Sequence, residues 1–255
     1  MRNWSWIALV VVAAAAPCAW ADASYSSIIL ADTPIAYWRL GDSSSSPLAT
    51  ESSGFTANGN NGFYTRGVTG GVTGAINGDS DTAASFDGAT AFVVIPNTTN
   101  GLFDLKSSFT LEAWVINGGQ SGVGQAGRIF SNRQPGGNGF GLGILHVGTP
   151  DRVRFTTFGI LDYDSNQTIV PEDGAWHHLV LVMDASFAAN FYLDGVLTDT
   201  IPGSRASGSS PADLNIGRNP GTTAEYFNGS IDEAAIYNYE LTADQVANHY
   251  AVGIK

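Results

Sequence analysis

Apolar positions recur at a spacing of two along much of this chain. In Phe109-Thr110-Leu111-Glu112-Ala113-Trp114-Val115, the residues Phe109, Leu111, Ala113 and Val115 fall on one face, the period of a half-buried strand. Arg152 to Thr156 alternates basic with apolar residues. Trp176 to Met183 is apolar more continuously, which predicts a strand covered on both sides. Phe191-Tyr192-Leu193 and Val196-Leu197-Thr198 flank Asp194-Gly195, a dipeptide that suits a two-residue hairpin because both turn positions need positive φ. Further strands are predicted at Ala84–Phe86, Phe92–Ile95, Arg128–Ser131, Phe140–Val147, Leu214–Gly217 and Ser230–Tyr237. Two helical segments frame them. Tyr25–Ala31 stops before Pro34, and a segment from about Ala243 to Tyr250 opens on a Thr242/Gln245 capping box with Leu241 and Val246 at the staple positions.

The 31 glycines and a charged fraction of only 13% fit many short strands joined by turns, hence a sandwich or barrel. No linker or repeat divides the chain, so one domain is expected over residues 22–255. The first 21 residues read as a signal peptide. Arg2 precedes the apolar run Ile7–Ala16, and Ala19-Trp20-Ala21 supplies the cleavage pattern, with cleavage before Asp22. The run is too short to span a membrane. The chain is therefore expected to be secreted or displayed at the cell surface. Its one cysteine, Cys18, lies in that segment, so the mature chain would rely on core size or a bound ion rather than disulfides. A formal net charge of −12 argues against nucleic acid and anionic membranes as partners, and suits neutral ligands or cations.

Four stretches carry a family resemblance: Ala31 to Asp42, with Tyr37-Trp38-Arg39-Leu40-Gly41; Ala84 to Gly88 followed by Phe109 to Val115; Trp176 to Val180 completed by Tyr192 to Gly195; and Phe227 to Glu233 running on to Tyr237. In this order they resemble the laminin-G-like jelly-roll domains of the concanavalin-A-like lectin and glucanase group. The resemblance covers nearly all of residues 25–253. It implies an all-β, two-sheet antiparallel jelly-roll sandwich with a short N-terminal helix and a short C-terminal helix. It also implies a structural calcium ion that staples the N-terminal segment to the last strand, through Asp42 and Asp232 and more weakly Glu51. The alternative for these acids is a turn cap and a buried hydrogen bond.

The fold hosts lectins, hydrolases and structural modules alike, so function must come from side chains. No Glu-x-Asp-x-x-Glu pattern is present, and Asp232 and Glu233, being adjacent on a strand, are expected to point to opposite faces. His177 and His178 should likewise point apart, one packed and one facing solvent. If His146 pairs with Val153, then Phe140, Leu142, Ile144, Val153 and Phe155 share the core face, while Gly141, Gly143, Leu145, Arg152 and Arg154 share the other. Mid-strand glycines beside arginines suit a ligand surface, although a solvated face would look the same. Tyr163, Phe187 and Tyr226 are read as aromatics in loops or at strand ends, free to stack on a sugar or to pack locally, whereas Trp38, Trp114 and Trp176 are read as core. The leading expectation is a secreted non-catalytic module that binds polysaccharide or glycoconjugate. The alternative is an adhesion or structural module for a cell-surface or matrix protein, and a glycoside hydrolase ranks third.

Overall fold

Asp194 and Gly195 both take positive φ, 51° and 76°, so the Asp-Gly turn closes a two-residue hairpin in which Leu193 faces Val196. The computed structural model that shows this describes residues 24–255, apart from 56–58, 98–100, 135, 149, 204–207 and 209. The predicted signal segment, 1–21, lies outside the described residues. After helix α1 (Tyr25–Ala31) come β1 (Ala36–Trp38), β2 (Leu48–Ala49), β3 (Gly62–Tyr64), β4 (Thr69–Thr73), β5 (Thr82–Asp87) and β6 (Val93–Ile95). The middle of the chain supplies β7 (Phe109–Asn117), β8 (Ala126–Ser131), β9 (Phe140–Leu145), β10 (Arg152–Thr157) and β11 (Leu161–Ile169). Then follow β12 (His177–Met183), β13 (Ala189–Leu193), β14 (Val196–Ile201), β15 (Leu214–Ile216), β16 (Asn228–Tyr237) and helix α2 (Ala243–Gly253).

The strands form two antiparallel sheets. One runs β14-β13-β12-β7-β16-β5-β4, with β1 pairing Ala234–Ile236 of β16 beyond its stretch with β5; the other runs β11-β10-β9-β8-β15-β6-β3-β2. Between them lies the main core, which holds Phe109, Leu111, Ala113 and Val115 of β7 and Phe140, Leu142, Ile144, Val153 and Phe155 of β9 and β10, as the alternation predicts. Val153 pairs with Ile144 rather than His146. The register differs from expectation by two residues, and an even shift leaves every side chain on its predicted face.

A second core covers the outer face of the first sheet. Tyr25 and Ile29 of α1 and Val246 of α2 pack there with Trp114, Val180, Val182 and Tyr237, which is why Trp176 to Met183 reads as apolar on both sides. Trp38 and Trp114 are buried and Trp176 packs against this layer. Both helices are capped: Ser24 accepts from the Ser27 amide, and Thr242 with Gln245 forms the expected capping box, although α2 runs on to Gly253.

This second core contains a buried ionic chain. Glu112, on β7, accepts hydrogen bonds from His178 Nε2 (2.7 Å), His249 Nδ1 (3.0 Å) and the Tyr25 hydroxyl (3.2 Å). The second ring nitrogen of His249 donates to Asp32 at 2.8 Å. Asp32 caps the C-terminus of α1 and also accepts from Gln245 Nε2 at 2.8 Å. His249 thus has a carboxylate at each nitrogen and both nitrogens carry protons. Burial works against that charge, yet Glu112 and Asp32 push His249 up to about 9. Burial likewise opposes ionised Glu112, but His249 and His178 hold its carboxyl well below the usual carboxylate range. His177 points the other way, to Asp194 at 2.9 Å, so the two adjacent histidines lie on opposite faces as expected.

Candidate functional site

On the outer face of the second sheet, strands β8, β9 and β10 present Arg128, Gly141 and Arg154 side by side, because Arg128 is opposite Gly143 and Arg154 is opposite the same glycine. The chain just past β8 adds Arg133, the turn after β10 adds Phe158, and the segment before β16 adds Glu225. Arg128, Arg133, Arg154, Phe158 and Glu225 line a cleft of about 400 Å³. Arg128 is its floor, only 2% exposed. Its Nε donates to Glu225 at 3.1 Å, and its Nη1 donates to the Gly141 carbonyl (3.2 Å) and the Thr156 hydroxyl (3.1 Å). Burial lowers the affinity of Arg128 for its proton, and the charge and hydrogen bonds of Glu225 work against that shift. Arg154 grips Asp164 with two bonds of 2.5 and 2.6 Å, the bidentate geometry that fixes a guanidinium most firmly. Asp162 lies 3.6 Å from Arg154. Arg133 is held differently: its guanidinium lies 4.8 Å from the Phe158 ring centre, a cation–π contact. Its stem crosses Gly221, where a Cβ would come within 2.7 Å of Arg133 Cδ.

The sequence-predicted ligand residues separate here. Arg154 lines the cleft, and Gly141 lies against its floor, Arg128. A Cβ at position 141 would meet the Phe158 ring at 3.1 Å and Arg128 Nη1 at 3.3 Å, so this glycine makes room for the protein's own cleft floor. Gly143 serves packing: its Cβ would fall 2.3 Å from the Gly127 carbonyl oxygen, on the neighbouring strand. Arg152 begins β10 on the Arg154 face, yet it does not line the cleft. Tyr163 corrects the expectation of a loop aromatic. It pairs with Phe155 in β11, is wholly buried, and packs its ring 5.7 Å from Phe155, so it cannot stack on a ligand. Phe187 packs against the main core, and Tyr226 lies beside Phe92 with 6.3 Å between ring centres. Sequence reasoning missed Arg128, Arg133, Phe158 and Glu225. The available signal was crowding: four of the nine arginines fall between positions 128 and 154.

The implied calcium ligands do not share one place. Asp42 accepts from the Thr50 amide (3.1 Å) and hydroxyl (2.5 Å) and from the Tyr64 hydroxyl (3.0 Å). Glu51 accepts from the Tyr37 amide (2.9 Å) and the Ser53 amide (2.7 Å). Asp232 is buried and accepts from the Ala75 amide at 2.7 Å and the Glu233 amide at 2.9 Å. Among the described residues no group of three or more His, Cys, Asp or Glu side chains is arranged to hold a metal ion. The Asp81 carbonyl oxygen and the Asp232 carboxylate both lie beside Gly74. A Cβ at position 74 would meet the Asp81 carbonyl oxygen at 2.6 Å and Asp232 Oδ2 at 3.2 Å. Burial, with Asp81 adding to it and the Ala75 amide working against it, pushes the Asp232 carboxyl up to about 7.

Asp232 and Glu233 also correct the strand rule. β16 slips by one residue against β7 between Asp232 and Ala235, and Glu233 takes φ 51°, so a bulge interrupts the alternation. Ile231 and Ala234 both face the main core, which leaves Asp232 and Glu233 together on the outer side. Each is only 1% exposed. Glu233 accepts from the Tyr37 hydroxyl and from Arg39 at 2.9 Å, and Arg39 also pairs with Asp79 (2.8 Å) and Asp81 (3.0 Å). The paired carboxyls are thus a packed, Arg39-braced joint with no opening to substrate.

A laminin-G-type family model, described as the Concanavalin A-like lectin/glucanases superfamily, matches residues 86–247. No curated protein sequence matches the chain. Among solved structures, domain 4 of AbnA, an extracellular GH43 arabinanase from Geobacillus stearothermophilus in complex with arabinotriose, aligns at TM-score 0.60 and 19% identity, over 86% of this chain and 98% of that one. The binding domain of Paraclostridial Mosquitocidal Protein 1 aligns at TM-score 0.63 and 14% identity, over 87% of this chain and 52% of that one. Trypanosoma rangeli sialidase in complex with sialic acid aligns at TM-score 0.60 and 14% identity, over 84% of this chain but 32% of the sialidase. At these identities the likeness is one of fold.

Proposed function

The chain belongs to the Concanavalin A-like lectin/glucanases superfamily, and we propose that within it this protein is an exported, non-catalytic module that binds a polysaccharide or glycoconjugate through the arginine cleft. The observation that supports this reading is the cleft itself: guanidinium donors fixed in position by Glu225, Asp164 and Phe158 on one open sheet face. Planar, preorganised donors suit sugar oxygens. Export rests on the 1–21 segment. The arabinotriose carried by the matched arabinanase domain supports a glycan as the ligand class.

Glu225 and Asp162 also line the cleft, and a glycosidase needs two carboxyls, one of which keeps its proton for the leaving group. Burial raises Glu225, but Arg128 and Asn219 outweigh it and hold the carboxyl below its ordinary range, the wrong direction for a general acid. The proposed role is therefore binding without turnover. Native affinity electrophoresis through gels carrying soluble polysaccharides checks this: at least one glycan should retard the protein, Arg154→Ala should weaken the retardation about tenfold, and no sugar should be released. Absence of retardation across a broad panel by folded protein overturns the reading, and release of sugar products overturns the non-catalytic part.

Calcium enters the same proposal at Asp232 and the Asp81 carbonyl, which both lie beside Gly74; the side chains of Asp42 and Glu51 are engaged elsewhere. There the ion would supply structural cross-linking between β16 and the segment before β5. Removal of calcium with EGTA should lower the unfolding midpoint by about 5 °C or more, restored by added calcium. Asp232→Asn should abolish the difference. An unchanged midpoint removes calcium from the proposal.

A further inference from the structure

We propose that Arg133 makes the cleft selective for a sparsely acidic glycan, a mainly neutral sugar chain carrying isolated carboxylates. The inference rests on the glycan-binding reading above and narrows it to a ligand class.

The three cleft arginines are not equivalent. Arg128 has its donors on Glu225, Thr156 and the Gly141 carbonyl. Arg154 has its donors on Asp164, with Nη1 reaching the Gly124 carbonyl at 3.4 Å. Both charges are met by carboxylates of the protein. Arg133 forms no ion pair among the described residues, and its Nε is enclosed without a hydrogen-bond partner. Its position is nevertheless fixed, by the Phe158 ring on one side and by Gly221, which leaves space for the stem. A cation held in place, lining a cleft and lacking a counter-ion, is the feature a ligand carboxylate completes. The contact is charge-assisted and offers two parallel donors, which a neutral hydroxyl cannot use as fully.

The same residues limit how acidic the ligand is. Asp162, Asp164 and Glu225 surround the cleft, and the whole chain carries a formal charge of −12. Exposed charges act over about 8 Å at physiological salt, so successive carboxylates of a polyanion would meet the carboxylates of the protein. One isolated acid per few neutral sugars matches one unmatched guanidinium.

The test is affinity electrophoresis of the full chain through gels holding glucuronoxylan, a glucuronate-bearing arabinogalactan, the carboxyl-reduced form of each, a neutral panel, and polygalacturonate. Wild-type protein should be retarded by at least one native, sparsely acidic polymer about tenfold more strongly than by its reduced form, and less by polygalacturonate. Arg133→Ala should erase the difference within the pair, and Arg133→Lys should keep part of it. Unchanged unfolding midpoints show that the variants are folded, as expected for a side chain without an ion pair. Equal retardation by native and reduced forms, retardation by neutral glycans alone, or a preference that survives Arg133→Ala overturns the inference while glycan binding stands. Retardation by no polymer at all overturns the glycan reading as well. Strongest retardation by polygalacturonate overturns the restriction to sparse charge.

Discussion

Glu112→Ala should destabilise the fold by about 3–5 kcal/mol, the range seen when one member of a buried ion pair is removed, and lower the unfolding midpoint by roughly 8–15 °C. The substitution strands the His249 charge in an enclosed site with only Asp32 at its far nitrogen, leaves His178 Nε2 without its acceptor, and removes the acceptor of the Tyr25 hydroxyl. These contacts tie α1 and α2 to β7, so both helices lose their anchor together. The pH dependence carries a second signature. His249 sits near 9 in the folded chain against about 6.5 unfolded, so its contribution is fully present below about pH 6.5 and lost as pH rises through 9. Over that interval it amounts to about 3 kcal/mol. The contribution of Glu112 has the opposite sense: it is present above its unfolded value of about 4.3 and lost only in stronger acid. Wild-type stability should therefore decline from pH 6.5 towards 9.5, and Glu112→Ala should flatten the decline. Urea unfolding at pH 6, 8 and 9.5 measures both. A variant within 1 kcal/mol of wild type would mean that the chain of charges contributes little to holding the helices.

That buried chain also marks where the sequence stopped being legible. Local chemistry was readable. Asp194-Gly195 announces its turn, Thr242 and Gln245 announce their helix, and Trp176 to Met183 announces cover on both faces, because each signal lies within a few residues of what it specifies. Glu112 and His249 are 137 positions apart, and Arg128 and Glu225 are 97 apart; their meeting depends on which strands are neighbours and in what register. The face assignment of β9 and β10 survived a wrong register only because the slip was even. Asp232 and Glu233 did not survive it, since a one-residue bulge at a non-glycine residue breaks the parity on which the expectation rested. Tyr163 was misplaced for a different reason. Its strand, Leu161–Ile169, is an edge strand of the second sheet, rich in Asp, Asn and Gln on its outer positions, and reads as a loop by composition. Mid-strand glycine marks the approach of a ligand or of another backbone, and composition does not say which.

Gly143→Ala resolves that ambiguity. A glycine that faces a ligand should accept alanine with stability intact and binding lost. Gly143 should do the reverse in its first effect: the added methyl falls 2.3 Å from the Gly127 carbonyl oxygen and 3.0 Å from Arg128 Cα. Both are backbone atoms of β8, which pairs with β9 through Gly127 opposite Ile144 and Arg128 opposite Gly143. No rotamer change relieves such a contact, so the strands must separate. Overpacking alone costs about 1–3 kcal/mol, and a weakened ladder beside it adds about 1 kcal/mol or more, so a loss of about 3 kcal/mol is expected. Gly141→Ala meets side-chain atoms instead, Phe158 and Arg128 at 3.1 and 3.3 Å. Phe158 and Arg128 can shift by a few tenths of an ångström, which should keep most of the stability while disturbing the cleft floor and weakening glycan retardation. Paired thermal unfolding and affinity electrophoresis of the two variants should therefore show opposite profiles. Gly143→Ala with an unchanged midpoint and abolished retardation would place a ligand, rather than β8, against Gly143, and would move the binding surface along β9 away from Arg128.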